Sequence, residues 1–140
     1  SAVFTGQGQF SFSPLINGEL ISFGGLQIGR GYDPGGITGD HGIGGSAELR
    51  YDQALQDSIL LSIQPYLYVD TARTWYIQRG AALDPTLTDQ SLVSIGGGVR
   101  TALPNNATLG LEVSRTLNAV LGSDAGREAT KVFVTGGIRF

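Results

Sequence analysis

Residues Ala129–Phe140 read ATKVFVTGGIRF. Val132, Val134, Ile138 and Phe140 fall on one face of an extended strand, and Lys131, Thr135, Gly137 and Arg139 fall on the other. Side chains alternate across a strand, so this segment has one apolar face and one polar, charged face. A strand that ends on Phe140 with charges on its second face is the pattern of the closing strand of an outer-membrane β-barrel. Phe140 is then a C-terminal barrel signal.

The same alternation recurs upstream. Six strands are predicted, over roughly Val3–Ser13, Ile43–Tyr51, Ser58–Tyr76, Ser91–Leu103, Ala107–Leu117 and Ala129–Phe140. In the third, Ile63, Leu67 and Val69 oppose Gln64, Tyr66, Tyr68 and Asp70; Pro65 is awkward there because proline donates nothing to a ladder. Pro104-Asn105-Asn106 has the composition of a tight turn. The connections alternate long and short, as in barrels with short periplasmic turns and longer outer loops. That places Tyr51 and Phe140 at the periplasmic rim and Trp75 at the outer rim, matching an aromatic girdle. The polar face collects Glu48, Arg50, Asp70, Arg100, Glu112, Lys131 and Arg139. A half-exposed sheet in a soluble protein would also place these in water. The length of the segments and the constancy of the apolar face favour the barrel. Arg115 has outward parity and is expected near the outer interface, where a cation costs little.

Composition agrees. The chain has 140 residues, room for one domain. It contains 22 glycines and 15% charged residues, with a net charge of −3, which gives no reason to expect a nucleic-acid partner. It contains no cysteine, hence no disulfide framework or thiolate metal site. It contains no methionine, as expected of a processed product or fragment. No apolar run reaches the ~20 residues of a membrane helix, but barrel strands need only ~9–11.

Segment 21–50 reads ISFGGLQIGRGYDPGGITGDHGIGGSAELR. Phe23-Gly24-Gly25, Arg30-Gly31-Tyr32, Gly39-Asp40-His41-Gly42 and Glu48-Leu49-Arg50, followed by five strands in all and a final Phe140, resemble one family. The chain resembles the C-terminal barrel region of two-partner-secretion transporters, the hemolysin-activator and filamentous-hemagglutinin exporter type, within the larger barrel-assembly superfamily. The resemblance implies an all-β fold, residues 1–140 forming about six strands of an antiparallel transmembrane β-barrel. It also implies that the Gly-rich loop 14–42 folds back into the lumen. Arg30, flanked by Gly31 and Tyr32, would then meet an acidic wall residue, and Asp70 in Tyr68-Val69-Asp70 matches the family's aromatic-x-Asp pattern. The family carries a branched aliphatic residue before the arginine; here that position is Gly29, with Ile28 one place earlier. Without the flanking motif, Arg30 reads as a solvated residue in a flexible loop.

The implied partners are outer-membrane lipid, a secreted exoprotein, and further strands from the same parent chain or other subunits. Six strands do not close a membrane barrel, whose smallest examples have eight. The family supplies the rest together with periplasmic POTRA domains. The expected function is export of an unfolded protein through an outer-membrane pore, with Glu48, Arg50, Arg100, Glu112, Lys131 and Arg139 lining the lumen. A structural or anchoring barrel segment and a barrel-assembly insertase are the alternatives. No cofactor is expected. The loop has no Gly-Lys-Ser/Thr and is not followed by a helical pattern, so it is not a phosphate cradle. His41 beside Asp40 is the one histidine and reads as a solvated residue rather than a metal ligand or catalytic group. Residues 35–40 faintly echo a calcium-binding repeat, in a single copy. Gly96-Gly97-Gly98 inside a strand signals barrel curvature or room for a plugging loop.

Overall fold

Alternating segments of this kind pair edge to edge, and in a computed structural model the described residues form nine strands. The structure describes residues 1–55, 59–77, 89–118, 120 and 130–139. The strands are β1 Ala2–Gln9, β2 Ile21–Phe23, β3 Ile37–Gly39, β4 His41–Arg50, β5 Gln53–Ala54, β6 Ser62–Trp75, β7 Asp89–Leu103, β8 Ala107–Thr116 and β9 Thr130–Ile138. The main sheet is antiparallel in the order β1-β4-β6-β7-β8-β9, with β5 attached to β6, and it is open rather than closed on itself. β2 and β3 form a separate hairpin within the Gly-rich loop.

The six long strands are those read from the sequence, with shifted ends. The first stops at Gln9 rather than Ser13, and the third runs from Ser62, where its first two residues pair with β5; its expected start at Ser58 lies outside the described residues. Phe140 and most of the loops 78–90 and 119–128 lie outside the described residues. Pro65 is accommodated where β4 has ended and β5 has not begun. Its carbonyl accepts from Tyr51 N on that side, so its missing N–H faces a gap in the ladder. Asn105 and Asn106 both adopt positive φ (62° and 54°) in the turn from β7 to β8.

The register aligns side chains by face. One row runs Val3, Glu48, Tyr68, Gly96, Ser114, Lys131. The next row on the same face runs Thr5, Ser46, Asp70, Ser94, Thr116. This is the inner face. The opposite face carries Leu49, Leu67, Val113 and Val132 in one row, and it is open: Leu67 is 69% exposed and Val132 62%. An apolar face turned outward over every strand inverts the soluble arrangement and suits lipid.

On the inner face, Tyr66 and Tyr68 of β6 lie across β7. A Cβ on Gly96 would sit 2.5 Å from Tyr68 Oη, and one on Gly98 would sit 2.7 Å from Tyr66 Oη. The room left by these glycines is therefore filled by tyrosine rings of the wall. The loop instead sits over β4, where a Cβ on Gly44 would meet the Phe23 ring at 2.5 Å and one on Gly42 would meet Ile21 at 2.6 Å. Ile21, Phe23, Ile28, Tyr32 and Ile37 of the loop pack with Ala72, Leu92 and Val120 into the buried apolar cluster.

Candidate functional site

The site is the loop tip, residues 29–33, seated on the inner wall. Gly29 and Gly31 hold φ of +87° and +100°, a region that L side chains rarely adopt. They also have no space for a side chain. A Cβ on Gly29 would lie 2.8 Å from Leu92 Cδ1, and one on Gly31 would lie 2.6 Å from Ser114 Oγ. Position 29 is thus glycine for a local reason. Ile28, one residue earlier, supplies the apolar contact and is buried.

Arg30 projects from this turn and is 6% exposed. Its Nε donates to Asp70 Oδ2 and its Nη2 to Asp70 Oδ1, both at 3.1 Å, a two-pronged pair. The backbone N–H groups of Gly29 (3.1 Å) and Arg30 (3.0 Å) donate to the same Oδ2. Nη1 donates to Glu48 Oε2 at 2.8 Å, and Nη2 to Ser46 Oγ at 3.0 Å. The guanidinium carbon lies 3.4 Å from the centre of the Tyr68 ring. Glu112 Oε2 is 3.7 Å from Nη1. The Arg30 carbonyl accepts from Ser114 Oγ at 2.6 Å. Burial alone disfavours the charged guanidinium, but the hydrogen bonds to Asp70 and Glu48 outweigh it and hold Arg30 charged above its ordinary range.

The neighbouring residues spread the attachment. Tyr32 Oη lies 2.7 Å from the Asn118 carbonyl and 2.9 Å from the Val93 carbonyl on β7. Lys131 on β9 donates to Asp33 at 2.6 Å. Five consecutive loop residues therefore reach β4, β6, β7, β8 and β9.

The structure brings Arg30, Gly31, Tyr32 and Asp70 together at one point. Glu48 is buried beneath Arg30 rather than presented to water, and it also accepts from Arg50 Nε (2.6 Å) and Arg100 Nη1 (2.7 Å). Glu112 accepts from the Tyr66 (2.6 Å) and Tyr68 (3.2 Å) hydroxyls. Arg139 lies beyond β9, exposed, with its backbone N–H donating to the Asn106 carbonyl. Sequence reasoning did not find Glu48, Ser46, Tyr68, Ser114 or Asn118 as partners of the loop. Parity places the first four on the inner face, but which inner residues adjoin Asp70 depends on the pairing register.

Asp40 and His41 have structural partners. Asp40 accepts backbone N–H groups of Leu15 (2.6 Å) and Ile77 (2.9 Å). His41 Nδ1 accepts from Ser11 N at 3.1 Å, and its ring lies between Phe10 (4.4 Å) and Trp75 (5.6 Å). His41 is 7% exposed, against the solvated position read from the sequence. Among the described residues, no group of His, Asp and Glu is arranged to hold a metal ion.

The all-β open sheet with an apolar outer face can be set beside the comparison by family. The model of the family "Haemolysin secretion/activation protein ShlB/FhaC/HecB" matches residues 4–101, well over half of the chain. The chain belongs to this family. No curated protein and no solved structure matches it significantly. ShlB/FhaC/HecB proteins are outer-membrane transporters of Gram-negative bacteria. The outward apolar face is accordingly the face toward outer-membrane lipid, and the general role is protein transport by two-partner secretion. The matched span runs from β1 into β7 and contains the loop, Arg30, Glu48 and Asp70.

Proposed function

We propose that residues 1–140 form the C-terminal portion of an outer-membrane pore that exports an unfolded exoprotein, and that loop 14–42 stays docked on the lumen wall throughout transport. The lumen is completed by strands of the same parent chain or of other subunits. The loop acts as an internal strut that fixes the curvature of this part of the barrel, and the exoprotein passes beside it.

The observation that supports a strut over a removable plug is the apolar cluster beneath the Arg30 network. Five buried loop side chains, Ile21, Phe23, Ile28, Tyr32 and Ile37, pack against the wall. At ~1.5–3 kcal/mol for each large buried side chain, this contact is worth on the order of 10 kcal/mol. A ligand shifts an equilibrium only by its differential affinity for the two states, so displacing the loop requires binding energy of that size.

The test is a cross-link. The chain has no cysteine, so a D33C/K131C pair in the full-length parent is uniquely addressable within these residues. A short thiol-specific cross-linker then ties the loop to β9. Continued secretion of the exoprotein after cross-linking is the expected result. Secretion that stops on cross-linking and returns on reversal means the loop is a gate. A parent with normal membrane insertion but no ion conductance and no secretion is an anchor rather than a pore.

A further inference from the structure

The chain between β1 and β2, before it turns into the lumen, carries large apolar side chains that the buried cluster does not use. Phe12 is 98% exposed, and Phe10 and Ile16 are each 70% exposed. Residues 10–18 contain no charged side chain. The Phe10 and Phe12 rings meet edge to face, with centroids 5.9 Å apart. The Phe10 ring lies against His41, and His41 lies against Trp75. His41 and Trp75 pair in register on the outward face, with the parity of Leu49 and Leu67. The row Phe10–His41–Trp75 is therefore on the lipid side of the wall, and Phe12 extends it.

Backbone donors in this segment are satisfied by protein rather than left for water. Ser11 N donates to His41 Nδ1 at 3.1 Å, and Leu15 N donates to Asp40 Oδ1 at 2.6 Å. Ser13 N donates to Ser11 Oγ at 3.3 Å, and that hydroxyl donates to the Ser13 carbonyl at 2.6 Å. Pro14 has no N–H to satisfy. The Ile16 carbonyl accepts from Glu19 N at 2.9 Å. Backbone outside a sheet is tolerated at lipid depth only where protein meets its polar groups. Apolar side chains outward over a protein-satisfied backbone repeat the inversion of the barrel wall below. The neighbouring charges set the depth. Arg73, two residues before Trp75 on the outward face, pairs with Asp89 at 2.8 Å. A charged pair there marks the edge of the hydrocarbon. The long connections leave from this end of the sheet, the outer end in such barrels.

We propose that residues 10–16 are an interfacial membrane anchor, with Phe10, Phe12 and Ile16 inserted at the boundary between the headgroups and acyl chains of the outer leaflet. A segment lying in that interface buries its apolar side roughly 5–10 Å deep, with phenylalanine among its favoured side chains. The partner is the lipid surface, and the contact continues the lipid face of β1, β4 and β6, where Phe4, Ile43 and Leu67 are exposed. The loop is then held at both ends, by lipid at its root and by Asp70 at its tip. Asp40 and His41, at the junction of β3 and β4, bind the root to the wall between the two holds. This inference rests on the outward face being the lipid face, and it stands whether the loop is a strut or a gate.

The test uses the full-length parent, with any cysteine outside residues 1–140 replaced by serine, reconstituted in phosphatidylcholine vesicles. Phe12→Cys carries the environment-sensitive fluorophore NBD; the side chain it replaces is almost wholly exposed, so little packing is lost. Leu67→Cys on β6 and Leu26→Cys on the lumen loop carry the same probe as references, both at exposed positions. Some vesicles contain lipid with a nitroxide near the headgroup, others lipid with a nitroxide near the end of the acyl chain. Iodide on both sides of the membrane reports contact with water. The probe at position 12 is expected to emit blue-shifted light, to be quenched most by the shallow nitroxide and to be little affected by iodide. The probe at position 67 should respond most to the deep nitroxide, and the probe at position 26 to iodide alone. Iodide quenching at position 12 equal to that at position 26 overturns the inference, because the segment is then in water. Quenching by neither agent also overturns it, because another part of the parent then covers the phenylalanines. Absence of lipid quenching at position 67 overturns the lipid-face assignment, and the inference with it.

Discussion

Asp70 takes all four of its observed hydrogen bonds from the loop, and Arg30 provides three of them. The donors are Gly29 N, Arg30 N, Arg30 Nε and Arg30 Nη2, and no wall residue donates to this fully buried carboxylate among the described contacts. Glu48 differs, since two of its three arginine partners, Arg50 and Arg100, belong to the wall. The loop is therefore a structural requirement of Asp70, whereas Glu48 keeps partners without it.

Arg30→Ala should for that reason be the most damaging change at the tip. It leaves a buried carboxylate without its cation, a loss of about 3–5 kcal/mol. The expected outcome in the full-length parent is protease cleavage within loop 14–42 where the wild type is protected, with reduced secretion. Unchanged protection would refute the anchoring role of the pair.

Arg30→Lys separates charge from geometry. Lysine keeps the cation but supplies neither the two-pronged bond to Asp70 nor the flat stack on Tyr68. A loss of about 2 kcal/mol is expected, intermediate between wild type and Arg30→Ala. Hydrogen exchange of the amides of Gly29 and Arg30, which donate to Asp70, measures it.

Much of this was legible in the sequence, and the reason is periodicity. Alternation alone put Asp70, Glu48, Arg100 and Glu112 on one face and Leu67, Val113 and Val132 on the other, and the register agrees. Two features were not legible. Leu92 and Ala72 are apolar residues on the polar face, and they make sense only with the β2–β3 hairpin above them. The pairing of Ser46 with Asp70 and of Glu48 with Tyr68 depends on how many residues the connection after β4 consumes before β6 begins. Local pattern does not specify that number, because β5 and Pro65 both interrupt the ladder there.

Leu92→Ala tests the hidden apolar patch. The side chain is fully buried between loop and wall. Its truncation should cost about 2–5 kcal/mol through lost packing and a cavity. Because the β7 backbone is held by β6 at Leu92 and by β8 from Ser94 onward, the damage should fall on the loop. Faster hydrogen exchange over residues 21–39, with little change in β6 and β7, is the expected pattern. Uniform loosening of the whole sheet would mean that the loop and wall are a single cooperative unit.

Leu67→Lys probes the lipid face. Leu67 is on the outward face of β6, in the row with Leu49 and Val113, and 69% exposed. A lysine near the bilayer midplane should destabilise the inserted barrel by about 2–4 kcal/mol, read as a lower midpoint in denaturant unfolding from lipid. The same change at Arg73, also outward but paired with Asp89 near the end of β6, should be close to neutral. Equal effects at both positions would contradict the depth assigned to the strand.

Gly29→Val puts a branched aliphatic residue before the arginine, and it should do harm. Two effects act together. The φ of +87° is strained for any L side chain, at roughly 1–2 kcal/mol. The new methyl groups would also strike Leu92, whose Cδ atoms lie 2.8 and 2.9 Å from a Cβ built at this position, adding about 1–3 kcal/mol. Pairing Gly29→Val with Leu92→Ala relieves the clash but not the backbone strain. The double variant should therefore recover part of the loop protection lost in Gly29→Val, measured by protease accessibility in the full-length parent. Full recovery would show that space alone fixes glycine at this position, and no recovery would show that backbone conformation does.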